Sequence, residues 1–281
     1  IQSGRRMGIG DLILLATAIQ AVARRVGRDN VTIWYDAAYP GAHAIFGMCG
    51  LQAESMPGGV ACPLDRNVIP CRHHFMESPL GLPLPTHEGE RTGNPLAQVL
   101  WSWGWHQLLA GASIRPGLCP DGGARACAAE AASEFARFVT CSPLEISRHN
   151  NDCNAAAWRA MLADVEVPII FGCAPSEVPA LEDMARAIAL RSWRIVTLPI
   201  PAWLALIGLA ETHYTGNSAG MWLGMASDTP TIVLQHEDPL HKHNRMWDIK
   251  PSWKIAHVRH RTPSLAGRYY PGGGGTRSDA A

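Results

Sequence analysis

Leu12, Leu15, Ala16, Ile19, Val22 and Ala23 recur at spacings of three and four, which predicts a helix over Asp11–Val26. Arg24, Arg25 and Arg28 crowd its C-terminal end, where the helix dipole favours cations. Gly27 and Asp29–Asn30 then turn the chain into a β-rich run, Val31–Tyr35. From Tyr39 to Leu96 periodicity fades and Gly, Pro, His and Cys are frequent, so this stretch reads as loop on an α/β scaffold, where binding residues concentrate. Pro95–Gly111 reads as a helix carrying Trp101, Trp103 and Trp105, a cluster suited to a core or to a homo-oligomer interface.

After a Pro/Gly-rich break at Cys119–Ala124 the pattern becomes regular. Helices are predicted at Ala126–Phe138, Asn154–Leu162, Val178–Leu190, Pro201–Leu209 and Ala219–Ala226. Strands are predicted between and after them at Phe138–Cys141, Val167–Phe171, Trp193–Leu198, Glu211–Thr215 and Thr231–Leu234. Such alternation demands an α/β fold with a parallel sheet covered by helices, and ligands then bind at the carboxyl ends of the strands. The expected division is a first domain over 1–125, a second over 126–262 and a flexible tail over 263–281. Beyond Lys254 the chain is expected to turn back toward the first domain.

Composition narrows the class. The 281 residues are 47% hydrophobic and 17% charged, ordinary values for a globular protein. Lys+Arg and Asp+Glu are equal at 24 each, so no net field draws the chain to nucleic acid or to an anionic membrane. Thr92–Ile114 lacks Asp, Glu, Lys and Arg but is too polar to span a bilayer, and Ile195–Ala210 is short and broken by Pro199 and Pro201. Ile1–Met7 lacks the apolar core of a signal peptide, so the expectation is a soluble cytoplasmic protein with reduced thiols. The eight cysteines form no CxxC pair; Cys62, Cys71, His73 and His74 are the nearest approach to a metal motif, and no metal is expected.

Four strand or loop ends carry candidate chemistry. Gly8-Ile9-Gly10-Asp11 opens the first helix, where Asp11 either caps the helix or faces a ligand that the glycines let approach. Glu177, five residues after Gly172, either accepts ribose hydroxyls or is an exposed first-turn glutamate. Thr215-Gly216-Asn217-Ser218-Ala219-Gly220-Met221 places small residues at a helix start, an anion site or a simple N-cap. Ser142–Asn151 follows a strand and brings Arg148, a phosphate ligand or a solvated surface residue.

The run from Gly8 to Ile19 resembles the opening of the heptosyltransferase-like glycosyltransferases of family 9. Pro168–Glu177 is similar to that family's strand, glycine turn and ribose-binding Glu, and Gly216–Ala226 followed by Thr229-Pro230-Thr231 is similar to its late signature. That signature reads Asn-Asp-Ser-Gly-Pro-x-His followed by Gly-Thr-Pro; here Asn217 stands for its Asp, Ala219 and Gly220 for Gly-Pro, and Trp222 for its His.

The resemblance implies a GT-B architecture, two Rossmann-like domains facing across a cleft. It implies metal-independent, cofactor-free transfer of a sugar, in that family commonly heptose from ADP-heptose, with inversion, to a glycan, glycolipid, protein or small-molecule hydroxyl. Asp11 would be the general base, with Gly8 and Gly10 on the acceptor side. The donor side would comprise Ser142, Arg148, Gly172, Glu177, Ile200, Asn217, Ser218, Ala219, Gly220 and Trp222, the last stacking on sugar or base. The rival readings are an inactive nucleotide- or sugar-binding protein and a sugar epimerase on the same fold.

Overall fold

A computed structural model of the chain describes residues 8–36, 41–56, 116–144, 155–216, 218–236 and 254–258. The first helix, α1 (Ile9–Val26), is buried at every position from Leu12 to Ala18 and ends at Gly27, whose φ of 94° turns the chain toward β1 (Thr32–Asp36). A helix apolar on all sides belongs in an interior, not on a surface. Two elements follow within the segment expected to be loop: α2 (Ala42–Gly47) and β2 (Gln52–Met56), which pairs in parallel with β1 from Thr32↔Gln52 to Asp36↔Met56. Ala42, Ile45 and Phe46 bury the inner side of α2.

The next helix among the described residues is α3 (Gly122–Ala132), not Ala126–Phe138; the helix expected at Pro95–Gly111 lies outside them. Asp121 explains the earlier start, because its carboxylate accepts the Ala124 N–H at 2.7 Å and caps a turn that two glycines disguise. This helix straddles the expected division at 125/126 and packs on α6. Then come β3 (Val139–Ser142), α4 (Ala155–Leu162), β4 (Ile169–Gly172), α5 (Val178–Ile188), β5 (Trp193–Val196) and α6 (Ile200–Leu209). They continue with β6 (His213–Gly216), α7 (Ala219–Ser227), β7 (Thr231–His236) and β8 (Lys254–Val258). β8 joins the sheet beside β7, from Ile232↔Lys254 to His236↔Val258, inside the expected second unit of 126–262; the expected return toward the first domain after it lies outside the described residues.

All six strands run parallel in the order β5-β4-β3-β6-β7-β8. Counted from β3 this is 3-2-1-4-5-6, the doubly wound dinucleotide order, with its switch point between β3 and β6. Successive residues alternate faces: Ile169 and Phe171 join the cluster under α4 and α5, while Ile170 joins the cluster with α3, α6 and α7. The second cluster also holds Leu12 to Ala16 and Ala18 of α1 and Phe46 of α2, so one apolar core runs from the large sheet into the β1–β2 unit.

Beneath α7 lies His213, fully buried, with Nδ1 3.0 Å from Thr140 Oγ1 and its ring edge-on to Trp203. Burial is the largest cause of its pKa falling from 6.5 to about 3. The unfolded imidazole protonates near 6.5 and the folded one only near 3, so stability is full above that upper value and is lost as pH falls between the two. His213→Leu is expected to flatten the loss between pH 6.5 and 3, a slope that totals about 5 kcal/mol and is read by urea unfolding across pH.

Candidate functional site

The switch point draws together residues from β3, β6, α7 and α1. Ser142 ends β3 and Thr215 pairs with it across the ladder; the Thr215 hydroxyl donates to the Gly216 carbonyl at 3.0 Å and to the Ser142 carbonyl at 3.4 Å. Gly220 rests on this pair: a Cβ built on it would overlap Thr215 Oγ1 and lie 3.0 Å from Ser142 Cβ. A proline, which the family signature carries there, would meet the same obstruction. Ser218 is the N-cap of α7, its hydroxyl accepting the Gly220 N–H at 3.3 Å and its carbonyl the Met221 N–H at 3.1 Å. The start of α7 therefore opens at the carboxyl ends of the two central strands, where the helix dipole favours an anion.

The first turn of α1 reaches the same place. A Cβ on Gly10 would lie 3.0 Å from Trp222 Cδ1, 3.3 Å from its Nε1 and 3.7 Å from Ala219 Cα. Trp222 is only 9% exposed, so its indole is packing between two helices and not an open stacking platform. Asp11, at the third helical position, is half-buried, and its Oδ2 accepts the Gly8 N–H at 3.0 Å. That bond is the return half of a capping box, so Asp11 caps the helix in the same turn whose Gly10 meets α7.

Glu177 and Gly172 lie one strand over, at the end of β4. Glu177 is 6% exposed, which corrects the alternative of an exposed first-turn residue. Its Oε2 accepts the Ala174 N–H at 2.7 Å, closing the turn into α5. Burial, and then the Glu177 carboxylate, push the neighbouring Cys173 thiol up to about 11, which keeps it protonated at neutral pH. Gly172 has a packing reason to be glycine: a Cβ there would overlap the Trp203 indole. Ile200 opens α6 with its Cδ1 against Gly41, beside Ile9 of α1. Arg148 and Asn217 fall outside the described residues, as do Trp101, Trp103, Trp105, Cys62, Cys71, His73 and His74.

Sequence reasoning passed over Trp203, His213 and one polar pair: the Tyr35 hydroxyl and His43 Nδ1 stand 2.7 Å apart near the carboxyl end of β1. An aromatic closing a strand and a histidine soon after a Tyr-Pro-Gly turn was the available signal. Among the described residues no three His, Cys, Asp or Glu side chains gather as a metal site, and no helix is long and apolar enough to cross a membrane.

A parallel sheet in this order, its switch point meeting a helix from the N-terminal unit, defines a doubly wound, Rossmann-like α/β fold. No family model and no curated protein matches the sequence. Solved structures do match in fold. A family 9 glycosyl transferase from Veillonella parvula DSM 2008 superposes with a TM-score of 0.57 at 10% identity, over 90% of this chain and 84% of that one. ADP-heptose LPS heptosyltransferase II of E. coli gives 0.55 at 11%, over 90% and 88%. E. coli heptosyltransferase WaaC with ADP-2-deoxy-2-fluoro heptose gives 0.54 at 10%, over 90% and 91%. The chain thus has the GT-B fold of these proteins, as the resemblance implied.

Two glycines give opposite stability tests. Gly172→Ala is expected to destabilise by about 1–3 kcal/mol through overpacking on Trp203. Gly208→Ala, in α6 with nothing within 4 Å of the added carbon, is expected to stabilise by about 0.5–1 kcal/mol. Urea unfolding of both variants checks the pair.

Proposed function

We propose that the chain is an inverting glycosyltransferase that moves a sugar, of heptose type, from a nucleoside-diphosphate donor, ADP first among the bases, to an acceptor hydroxyl. The observation that carries this reading is the meeting of α1 and α7, which brings the helix turn that holds Asp11 to an anion-favouring helix start at the switch point of the sheet. The shared fold supports it as an analogy.

In this reading the donor diphosphate lies at the start of α7, held by the backbone and hydroxyl groups around Asn217, Ser218 and Ala219, with Ser142 beside them. Arg148 neutralises its charge. Glu177 receives the ribose hydroxyls, giving up its hold on the Ala174 N–H in part. Asp11 takes the proton of the acceptor hydroxyl as that oxygen attacks the anomeric carbon. The new C–O bond forms on the face opposite the departing diphosphate, the sugar–phosphate C–O bond breaks, and its electron pair leaves on the diphosphate, where the α7 amides meet the charge. Gly8 and Gly10 keep the acceptor path beside Asp11 free of side chains.

A second reading, a nucleotide- or sugar-binding protein without turnover, has one observation in its favour: the Asp11 carboxylate is already engaged by Gly8. Asp11→Asn separates the two, because the amide oxygen still accepts the Gly8 N–H while the basicity is gone. Transfer is expected to fall about 10²–10⁴-fold with nucleotide affinity kept. A wild-type rate in Asp11→Asn would overturn the role of base. Thermal shift and calorimetry against ADP, GDP, UDP, TDP and CMP come first: a bound nucleotide at a hundred times its Kd adds about 2.7 kcal/mol of stability. A single hit that Glu177→Gln weakens supports the donor site, no hit sinks both readings, and a hit with no transfer to any acceptor favours the second.

A further inference from the structure

We propose that Trp222 is a positioning residue: its buried indole, seated on Gly10, holds the first turn of α1 against α7 and so fixes where Asp11 stands relative to the start of α7. Trp222 is the fourth residue of α7 after its Ser218 cap. Helical side chains lean back toward the N-terminus, so the indole covers the first turn of α7, the same turn that opens at the switch point. Gly10 and Ala219 let the two backbones approach there, with 3.7 Å between Ala219 Cα and a Cβ built on Gly10. The plate of Trp222 fills the rest of the crossing, 3.0 Å from that same Cβ position.

A second contact stops α1 from pivoting about the first. Ile9, next to Gly10, lies 3.4 Å from a Cβ built on Gly41, and Ile200 of α6 lies 2.8 Å from the same point. The φ of 80° at Gly41 holds this junction in a conformation that favours glycine. Residue 9 is therefore set against the Gly41 junction that Ile200 also packs on, residue 10 against α7, and Asp11 follows directly in the chain. Where a charged or polar ring would face the donor, this chain has used the position to set a distance. Catalytic groups displaced by an ångström lose on the order of 10²-fold in rate.

The kinetic part rests on the glycosyltransferase reading; the grip on α1 does not. Hydrogen exchange is therefore read beside kinetics. Trp222→Ala is expected to speed amide exchange in the first turns of α1 while strands β3, β4 and β6 keep their protection. With ADP-sugar as donor, kcat is expected to fall ten- to a hundredfold with donor KM and ADP affinity within about twofold, and Trp222→Phe to lie between. Gly10→Ala, which forces a methyl onto the indole, is expected to lower kcat in the wild type but much less in Trp222→Ala, the non-additivity of a direct contact. It also keeps the test available if Trp222→Ala folds poorly. A raised donor KM with kcat unchanged would overturn the proposal in favour of stacking on the donor. Unchanged α1 exchange in Trp222→Ala, or additive effects of the two substitutions, would overturn it outright. A wild-type chain that transfers nothing sinks the enzymatic reading alone, and the exchange result still decides the grip.

Discussion

The height of α7 above the sheet governs what surrounds it. Gly220 and Gly224 stand one turn apart on the same side of the helix, and a Cβ at either would overlap the hydroxyl of Thr215 or Thr231. With nothing but backbone on that side, α7 settles directly onto β6 and β7. Its first turn then lies level with the carboxyl ends of β3 and β6, and His213 is sealed underneath with the Gly224 backbone close to its ring. A helix carried a side chain's thickness higher would leave the imidazole wet and lift the N-cap of Ser218 away from Ser142.

The opposite side of α7 then meets α1. Because Leu12 through Ala18 are all buried, α1 acts as a central strut shared by the β1–β2 unit and the large sheet. A strut with no wet face cannot rotate to find a better position for Asp11; its orientation is settled by what it crosses. Thr229 extends the same economy below. Its hydroxyl donates to the Ile207 carbonyl at 2.8 Å, tying the end of α6 to the turn after α7, so the Thr-Pro part of the late signature is a packing device here.

The second half of the chain was legible because its strands are short buried runs, such as Ile169–Gly172, separated by helices with Pro or Ser at their starts. A parallel sheet covered by helices followed from that rhythm, whereas the strand order that creates the switch point is a tertiary fact. The first half was less open to reading: β2 is Gln-Ala-Glu-Ser-Met with little apolar signal, and its place is set by pairing with β1, a tertiary fact. At the site, positions were legible but roles were not. Asp11, Glu177 and Ser218 each spend an oxygen on a nearby N–H, which only coordinates reveal. Trp222 and Gly172 owe their identity to Gly10 and Trp203, partners at distances that no local pattern spans.

Those partnerships tie distant positions together in pairs. Gly10 with Trp222, Gly172 with Trp203 and Gly220 with Thr215 are each one hollow and one filling. A lineage can exchange both members and keep the crossing, but changing one alone meets an overlap or leaves a void. A signature read position by position scores such an exchange as two losses, whereas superposition of backbones does not register it. Pairs of this kind are held by shape and not by residue type, so backbones can superpose where identity is only 10–11%.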